Sequence, residues 1–308
     1  MIRVFGEDLF KAAFEESLAE ISTGDLVLPV NDLGFDGDGS LWQSAGELPR
    51  QLISDRFQLR DHCRRAGMSV PATYSISTFE ELSKVVMRKN RFPLALKSRR
   101  NLSGGAVTYR LEGFRELSKC FDKIQAIQPG PVLLEDWVPF EALIEITRGP
   151  RGFSLTSRVE LEKRLLTRHQ WRIFPLTLPE KFKTMTERLI APLGSVFPHE
   201  KVLVRYTIGL TRSEAVLLSV NAGLNRLEYF PGWCEKVGVA SAVAAIVGSS
   251  PEEPMRSFKM ARLQMFRRTS KEPVWPTKLP PATDHLPILR TATAGRWLAV
   301  LLGGPDAA

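Results

Sequence analysis

Residues 202–226, VLVRYTIGLTRSEAVLLSVNAGLNR, constrain the fold more than any other stretch of the chain. Two runs rich in aliphatic residues flank the polar tip Thr211-Arg212-Ser213, which predicts an antiparallel hairpin with strands over 202–209 and 215–221. If the hairpin folds symmetrically about Ser213, Arg205 stands opposite Asn221. Ser219 shares that face, because strand side chains alternate with period two. Leu218 and Val220 are then expected on the other face. Three polar side chains converge on adjacent strands, a pattern that also suits a plain half-exposed sheet face.

The rest of the chain mixes helices with strands. At the N-terminus, Leu9, Ala13, Phe14 and Leu18 form a helical stripe, and residues 25–30 read as a buried strand. One helix and one strand cannot cover both faces of a sheet, so this piece must pack on the remainder. The loop 32–46 resembles a calcium loop at Asp36, Asp38, Ser40 and Glu47, but Leu41 stands where the turn demands glycine. A basic helix is expected over 51–66, stopped by Gly67. Thr78-Phe79-Glu80-Glu81 is a capping box opening the next helix. Strands follow at 92–97 and 107–111, a helix at 113–127, and strands at 132–137, 142–148 and 153–161. A helix near 180–190 precedes the hairpin, and an apolar helix at 239–247 follows it. After Ser249 prolines cluster, and residues 250–308 read as a loosely attached basic tail.

Composition excludes several classes. With 308 residues, 44% hydrophobic and 25% charged, the chain has room for two or three packed subdomains. Its apolar runs fall short of the roughly 20 residues that a membrane-spanning helix needs. No apolar leader region opens the chain, so a cytoplasmic protein is expected. Three cysteines without a CxxC spacing argue against a disulfide framework or a zinc site. A net charge of +8 favours an anionic partner: nucleotide, nucleic acid or acidic metabolite. Nucleic acid ranks last, resting on that charge and on the stretch MRSFKMARLQMFRRTSK at 255–271.

Two further stretches carry chemistry. In FPLALKSRRNLSGGAVTYRL, residues 92–111, a strand delivers Lys97 beside a loop holding Ser103, Gly104 and Gly105. Glycines let backbone N–H groups approach phosphates, and the lysine adds a positive point charge. An exposed strand end and a hairpin turn would also produce this pattern. In VLLEDWVPFEALIEITRGPRG, residues 132–152, a strand ends in Glu135-Asp136, a Trp-Val-Pro linker follows, and Glu141 opens the next strand. Such a hinge offers backbone groups to a base edge and carboxylates to sugar hydroxyls, or is an acidic surface connection.

In this order and spacing the three stretches resemble the ATP-grasp superfamily. They are most similar to carbamoyl-phosphate-synthase-like members and the purine-pathway carboxylase, over residues 25–248. The resemblance implies an α+β protein: two α+β lobes with antiparallel sheets enclosing a nucleotide cleft, behind a truncated N-terminal α/β layer. The expected divisions are 1–70 for that layer, 71–127 for the small lobe, 128–249 for the large lobe and 250–308 for the tail. By the same resemblance Arg56 and Lys97 meet the phosphates of ATP, and Ser103, Gly104 and Gly105 lie in a lid over them. Glu135, Val138 and Glu141 hold adenine and ribose, and Asn221 and Ser219 take metal-holding positions. Arg205 and Arg226 occupy catalytic ones.

The pattern departs from the family at the metal. Arg205 stands where a carboxylate or glutamine is usual, and Ser219 where a glutamate is usual. A charge pair at about 4 Å and an effective dielectric of about 20 is worth about 4 kcal/mol, so a cation in place of an anion works strongly against bound magnesium. Gly223 replaces a further arginine, with Arg226 nearby in another register. The expectation is therefore a nucleotide-binding pseudo-ligase with weak or no metal-dependent catalysis. The alternative is an active ATP-dependent carboxylate–amine ligase, working through an acyl phosphate on a small carboxylate substrate.

Overall fold

The basic segment expected as one helix over 51–66 is two helices, α1 (Glu47–Ser54) and α2 (Arg56–Arg65), and Asp55 is the reason. An aspartate can bond its own backbone neighbours, and here it does so rather than continue the helix. Its backbone is extended, and its carboxylate accepts from the N–H groups of Phe57 at 2.9 Å and Gln58 at 3.3 Å, capping α2. Gly67, with φ +70°, follows α2 as expected. The protein is seen as a computed structural model that describes residues 46–100, 108–149, 152, 154–157, 178–199 and 202–222, together with strand backbone at 2–5, 26–29, 158–164, 167–174, 261–267, 288–294 and 297–303.

The small lobe is built from period-two alternation. Strands β3 (Thr73–Ile76), β4 (Leu94–Ser98), β5 (Thr108–Leu111) and β6 (Val132–Asp136) form an antiparallel sheet in the order β3-β6-β4-β5. Leu94 and Leu96 of β4 and Val132 and Leu134 of β6 pack in one core with Leu82 and Val86 of α3 (Phe79–Lys89) and Phe121 and Ile124 of α4 (Leu117–Ile127). Each such side chain contributes about 1.5–3 kcal/mol on burial. Alternation then turns Ala95, Lys97 and Glu135 to the opposite face, where they meet the large lobe. Thr78 caps α3 as the sequence predicts, its Oγ1 accepting from Glu81 N–H at 3.1 Å, while the Glu81 carboxylate accepts from the N–H of Ser77, one residue before the cap, at 2.7 Å.

Among the described residues the large sheet has eight strands, in the order β11-β10-β7-β8-β9-β12-β14-β13, every neighbouring pair antiparallel. They are β7 (Ala142–Arg148), β8 (Ser154–Arg164), β9 (Thr167–Phe174), β10 (Val204–Leu210), β11 (Ala215–Ala222), β12 (Ala261–Arg267), β13 (Ile288–Ala294) and β14 (Trp297–Gly303). One face of β7, β10 and β11 supplies Ile144, Ile146, Val204, Tyr206, Ile208, Leu217 and Val220 to a core shared with Leu189 of α5 (Glu180–Ile190). Leu52, Leu59 and Cys63 of α1 and α2 join this same core, so the helices grouped above with the N-terminal layer pack against the large sheet. A parallel pair, β1 (Ile2–Phe5) and β2 (Leu26–Pro29), represents that layer among the described residues; β1 was not anticipated.

Two expectations need correction. The segment 250–308, read as a loosely attached tail, contributes three strands to the large sheet. Its prolines drew attention from the alternation in Ala-Arg-Leu-Gln-Met-Phe-Arg, 261–267, and from a two-residue connection, Gly295-Arg296, between paired ends Ala294 and Trp297. Within the basic stretch 255–271, residues 261–267 form strand β12, paired on both sides. The second correction concerns the hairpin. Arg205 does pair with Asn221, but a β-bulge follows Thr207, so that Thr207 faces Ser219 and Ile208 faces Leu217. Leu218 is the extra residue: Leu217 takes the core position, and Leu218 turns to the polar face beside Ser219. The expected helices at 8–21 and 239–247 lie outside the described residues.

Candidate functional site

The two sheets meet across a cavity of about 260 Å³. Its small-lobe wall is Ala95, Lys97, Thr108 and Glu135, and Arg56 and Arg60 of α2 close one side. The linker from β6 to β7 adds Trp137, Val138 and Phe140, and the large sheet adds Leu143, Thr207, Leu218 and Ser219. Aromatic and aliphatic walls around a few charged groups are what small-molecule sites commonly show. Trp137 and Phe140 lie with ring centroids 6.3 Å apart, and the Arg110 guanidinium sits 4.7 Å from the Trp137 ring, fixing it from outside.

Glu135 organises the charge. It is 1% exposed, and its carboxylate accepts from Arg60 Nε at 2.8 Å, Lys97 Nζ at 2.5 Å and Thr73 Oγ1 at 3.1 Å. Burial alone would raise its pKa, but Arg60 and Lys97 overcome that and hold it well below the usual carboxylate range. Burial depresses the Lys97 ammonium; Glu135 opposes this, while Arg60 and Arg56 push the same way as burial. Arg56 donates through Nη1 to the Ser98 carbonyl at 3.2 Å. Two cations are therefore bonded to one carboxylate, Arg56 adds a third positive charge to the lining, and the wall is suited to an anion.

The polar face of the large sheet continues beyond the cavity. Arg205 is 7% exposed and lies 3.8 Å from the Glu145 carboxylate on the neighbouring strand β7. Asn221 Nδ2 donates to Ser219 Oγ at 3.2 Å. Among the described residues no group of three or more His, Cys, Asp or Glu could hold a metal ion. A hard cation needs clustered anionic oxygens. With Glu145 facing a guanidinium, and an amide and a hydroxyl bonded to each other, the described donor set does not fit magnesium.

The fold brings some of the predicted residues together and separates others. Arg56, Lys97, Glu135, Val138 and Ser219 line the cavity, whereas Arg205 and Asn221 share its large-sheet face without lining it. Glu141 lies outside the lining: its N–H donates to the Leu210 carbonyl, and its carboxylate pairs at 2.8 Å with Arg212, which is 91% exposed. Ser103, Gly104, Gly105 and Arg226 fall outside the described residues. Arg60 and Glu145 went unanticipated, although spacing could have found both. Arg60 follows Arg56 by four residues on a helix face, and Glu145 alternates with the core residues Ile144 and Ile146.

Two α+β lobes with antiparallel sheets, joined across a cationic cleft, define the ATP-grasp fold. Solved structures with this fold match along nearly the whole chain. The N5-carboxyaminoimidazole synthase from Aspergillus clavatus, in complex with ADP and 5-aminoimidazole ribonucleotide, is 15% identical with a TM-score of 0.66, covering 99% of this chain and 93% of that one. The N5-carboxyaminoimidazole ribonucleotide synthetase from Thermus thermophilus is 14% identical with a TM-score of 0.62, covering 100% and 94%. The D-alanine–D-alanine ligase from Bacillus anthracis is 13% identical with a TM-score of 0.58, covering 80% and 95%. No family model matches the sequence, and no curated protein matches it. Among the described residues no helix is long and apolar enough to cross a membrane.

Proposed function

We propose that the cleft binds a nucleotide and that the chain is an ATP-grasp pseudo-ligase, holding its ligand without metal-dependent turnover. One observation carries this reading: the cleft wall presents Arg56, Arg60 and Lys97, the last two bonded to one buried carboxylate, while Glu145, the carboxylate on the facing sheet, is opposed by Arg205. Fixed protein cations do there what a bridging metal does elsewhere, neutralising phosphate oxygens. Lys97 and Arg56 bind the phosphates, and Val138 and Phe140 wall the base. ATP, when bound, brings a transferable phosphoryl group. Support also comes from the nucleotide named in the Aspergillus clavatus complex.

Calorimetry with ADP and ATP, in EDTA and then in magnesium, tests the proposal. The expected outcome is binding that survives EDTA and phosphate release that magnesium does not accelerate. Strong magnesium-dependent turnover would overturn it. That result would favour the second reading, a working carboxylate–amine ligase, for which Glu145 supplies a carboxylate on the polar face of the large sheet. Replacing Arg205 by Gln together with Ser219 by Glu adds oxygen ligands beside Asn221. This double variant is expected to gain a magnesium response that neither single change matches.

A further inference from the structure

Arg60 joins three parts of the site. It stands on α2, is 4% exposed, and donates through Nε to Glu135 of the small sheet at 2.8 Å and through Nη2 to the carbonyl of Leu218, the bulge residue of the large sheet. Glu135 in turn holds Lys97 Nζ at 2.5 Å. Consider the charges if Arg60 were absent. Glu135 is 1% exposed and would have one cationic partner. Lys97 could then turn toward an anion in the cleft only by leaving a buried carboxylate bare, which a low-dielectric interior strongly opposes. With Arg60 present the carboxylate stays compensated wherever Lys97 points.

We infer that Arg60 is a positioning residue: as the standing counter-ion of Glu135, it frees the Lys97 ammonium to engage an anionic group in the cleft. The identity of that group as a nucleotide phosphate rests on the function proposed above. The availability of the Lys97 amine does not, and it can be measured with no nucleotide present.

The experiment compares wild type, Arg60→Gln, Arg60→Lys, Glu135→Gln and the double variant Arg60→Gln/Glu135→Gln. Glutamine at 60 places an uncharged donor where Arg60 Nε meets Glu135, so it keeps that contact and removes the charge. The first readout is the rate at which acetic anhydride acetylates Lys97, followed by peptide mass spectrometry. The second is ADP affinity in EDTA. Arg60→Gln should slow acetylation of Lys97 about tenfold, the effect of one pKa unit, because Glu135 then claims the ammonium alone. Arg60→Lys should label like wild type. The double variant should recover to the wild-type rate or above, since no carboxylate remains to capture Lys97. ADP affinity should fall and recover in the same order.

A residue that only braces the fold would not be rescued by losing its partner as well. Equal rates throughout, or a double variant as slow as Arg60→Gln, would overturn the inference. Should Arg60→Gln not fold, the double variant and wild type decide: Arg60 also depresses the Lys97 ammonium directly, so the double variant should label more slowly than Glu135→Gln but no more slowly than wild type, and a double variant slower than wild type counts against the inference. If wild type binds no ADP yet the labelling order holds, the role of Arg60 stands and the nucleotide reading falls.

Discussion

Asp55 uses one carboxylate for two purposes: it caps α2, and it receives Arg99 through Nε at 3.0 Å and Nη2 at 2.7 Å. Removing it by Asp55→Ala should cost about 2–3 kcal/mol, about 1 for the cap and the rest for the charge-assisted bonds. Asp55→Asn keeps the cap acceptor and should cost about half as much; urea unfolding of both variants checks the ratio. Glu135 predicts a pH dependence. Burial raises its pKa, yet Arg60 and Lys97 hold the folded value below the ordinary 4.5. The unfolded chain therefore binds more protons in acid, so this stabilisation is present above about pH 4.5 and is lost as pH falls below it. Between about pH 4.5 and 3, stability should fall less steeply in Glu135→Gln than in wild type. At neutral pH that variant should itself be less stable by about 3–5 kcal/mol, because two buried cations lose their counter-ion. At this scale the sequence was informative about single positions. Lys97 and Glu135 stood out as charges closing apolar strands, and symmetry about Ser213 paired Arg205 with Asn221. It was silent about partners. That Glu135 would be claimed by Arg60, 75 residues away, depends on how α2 lies against the small sheet.

Between β10 and the linker the fit is close. A Cβ on Gly209 would meet Phe140 at 3.2 Å and Leu218 Cδ1 at 3.3 Å, so glycine is what lets both side chains reach the cavity wall. Gly209→Val should displace Phe140 and destabilise by about 1–3 kcal/mol, with ligand affinity falling as well. Differential scanning calorimetry and an ADP titration on the same sample check the pair of effects. Element types were mostly legible, because alternation and capping are local: β7 and α5 have the predicted bounds, and Thr78 caps α3. The failures were places where one residue interrupts a regular pattern. Asp55 looks like another polar residue of a basic helix until its side chain turns back on the backbone. Leu218 looks like a core leucine until the bulge shifts it to the polar face.

The large sheet ties the last sixty residues to the site-bearing strands, since β12 pairs with β9 and β14. A chain ending after residue 249 should lose three strands and leave β9 with open hydrogen-bonding groups. It should unfold with reduced cooperativity and sediment partly as aggregate, by thermal melts and analytical ultracentrifugation. Composition concealed this, because prolines on either side of β12 outweighed seven residues of alternation. Among the described residues the opposite margin of the sheet is β11, the strand that carries Ser219 and Asn221. A strand on a sheet margin is a template on which a second molecule can zip. Here that side is stitched to the chain ahead of the small lobe: Leu217 N–H donates to the Ser69 carbonyl at 2.9 Å, and the Leu218 carbonyl accepts from Arg60. The proposed ligand site and the covering of this sheet margin thus meet in one guanidinium. A variant of Arg60 that loses affinity should be weighed in solution before its pocket is blamed.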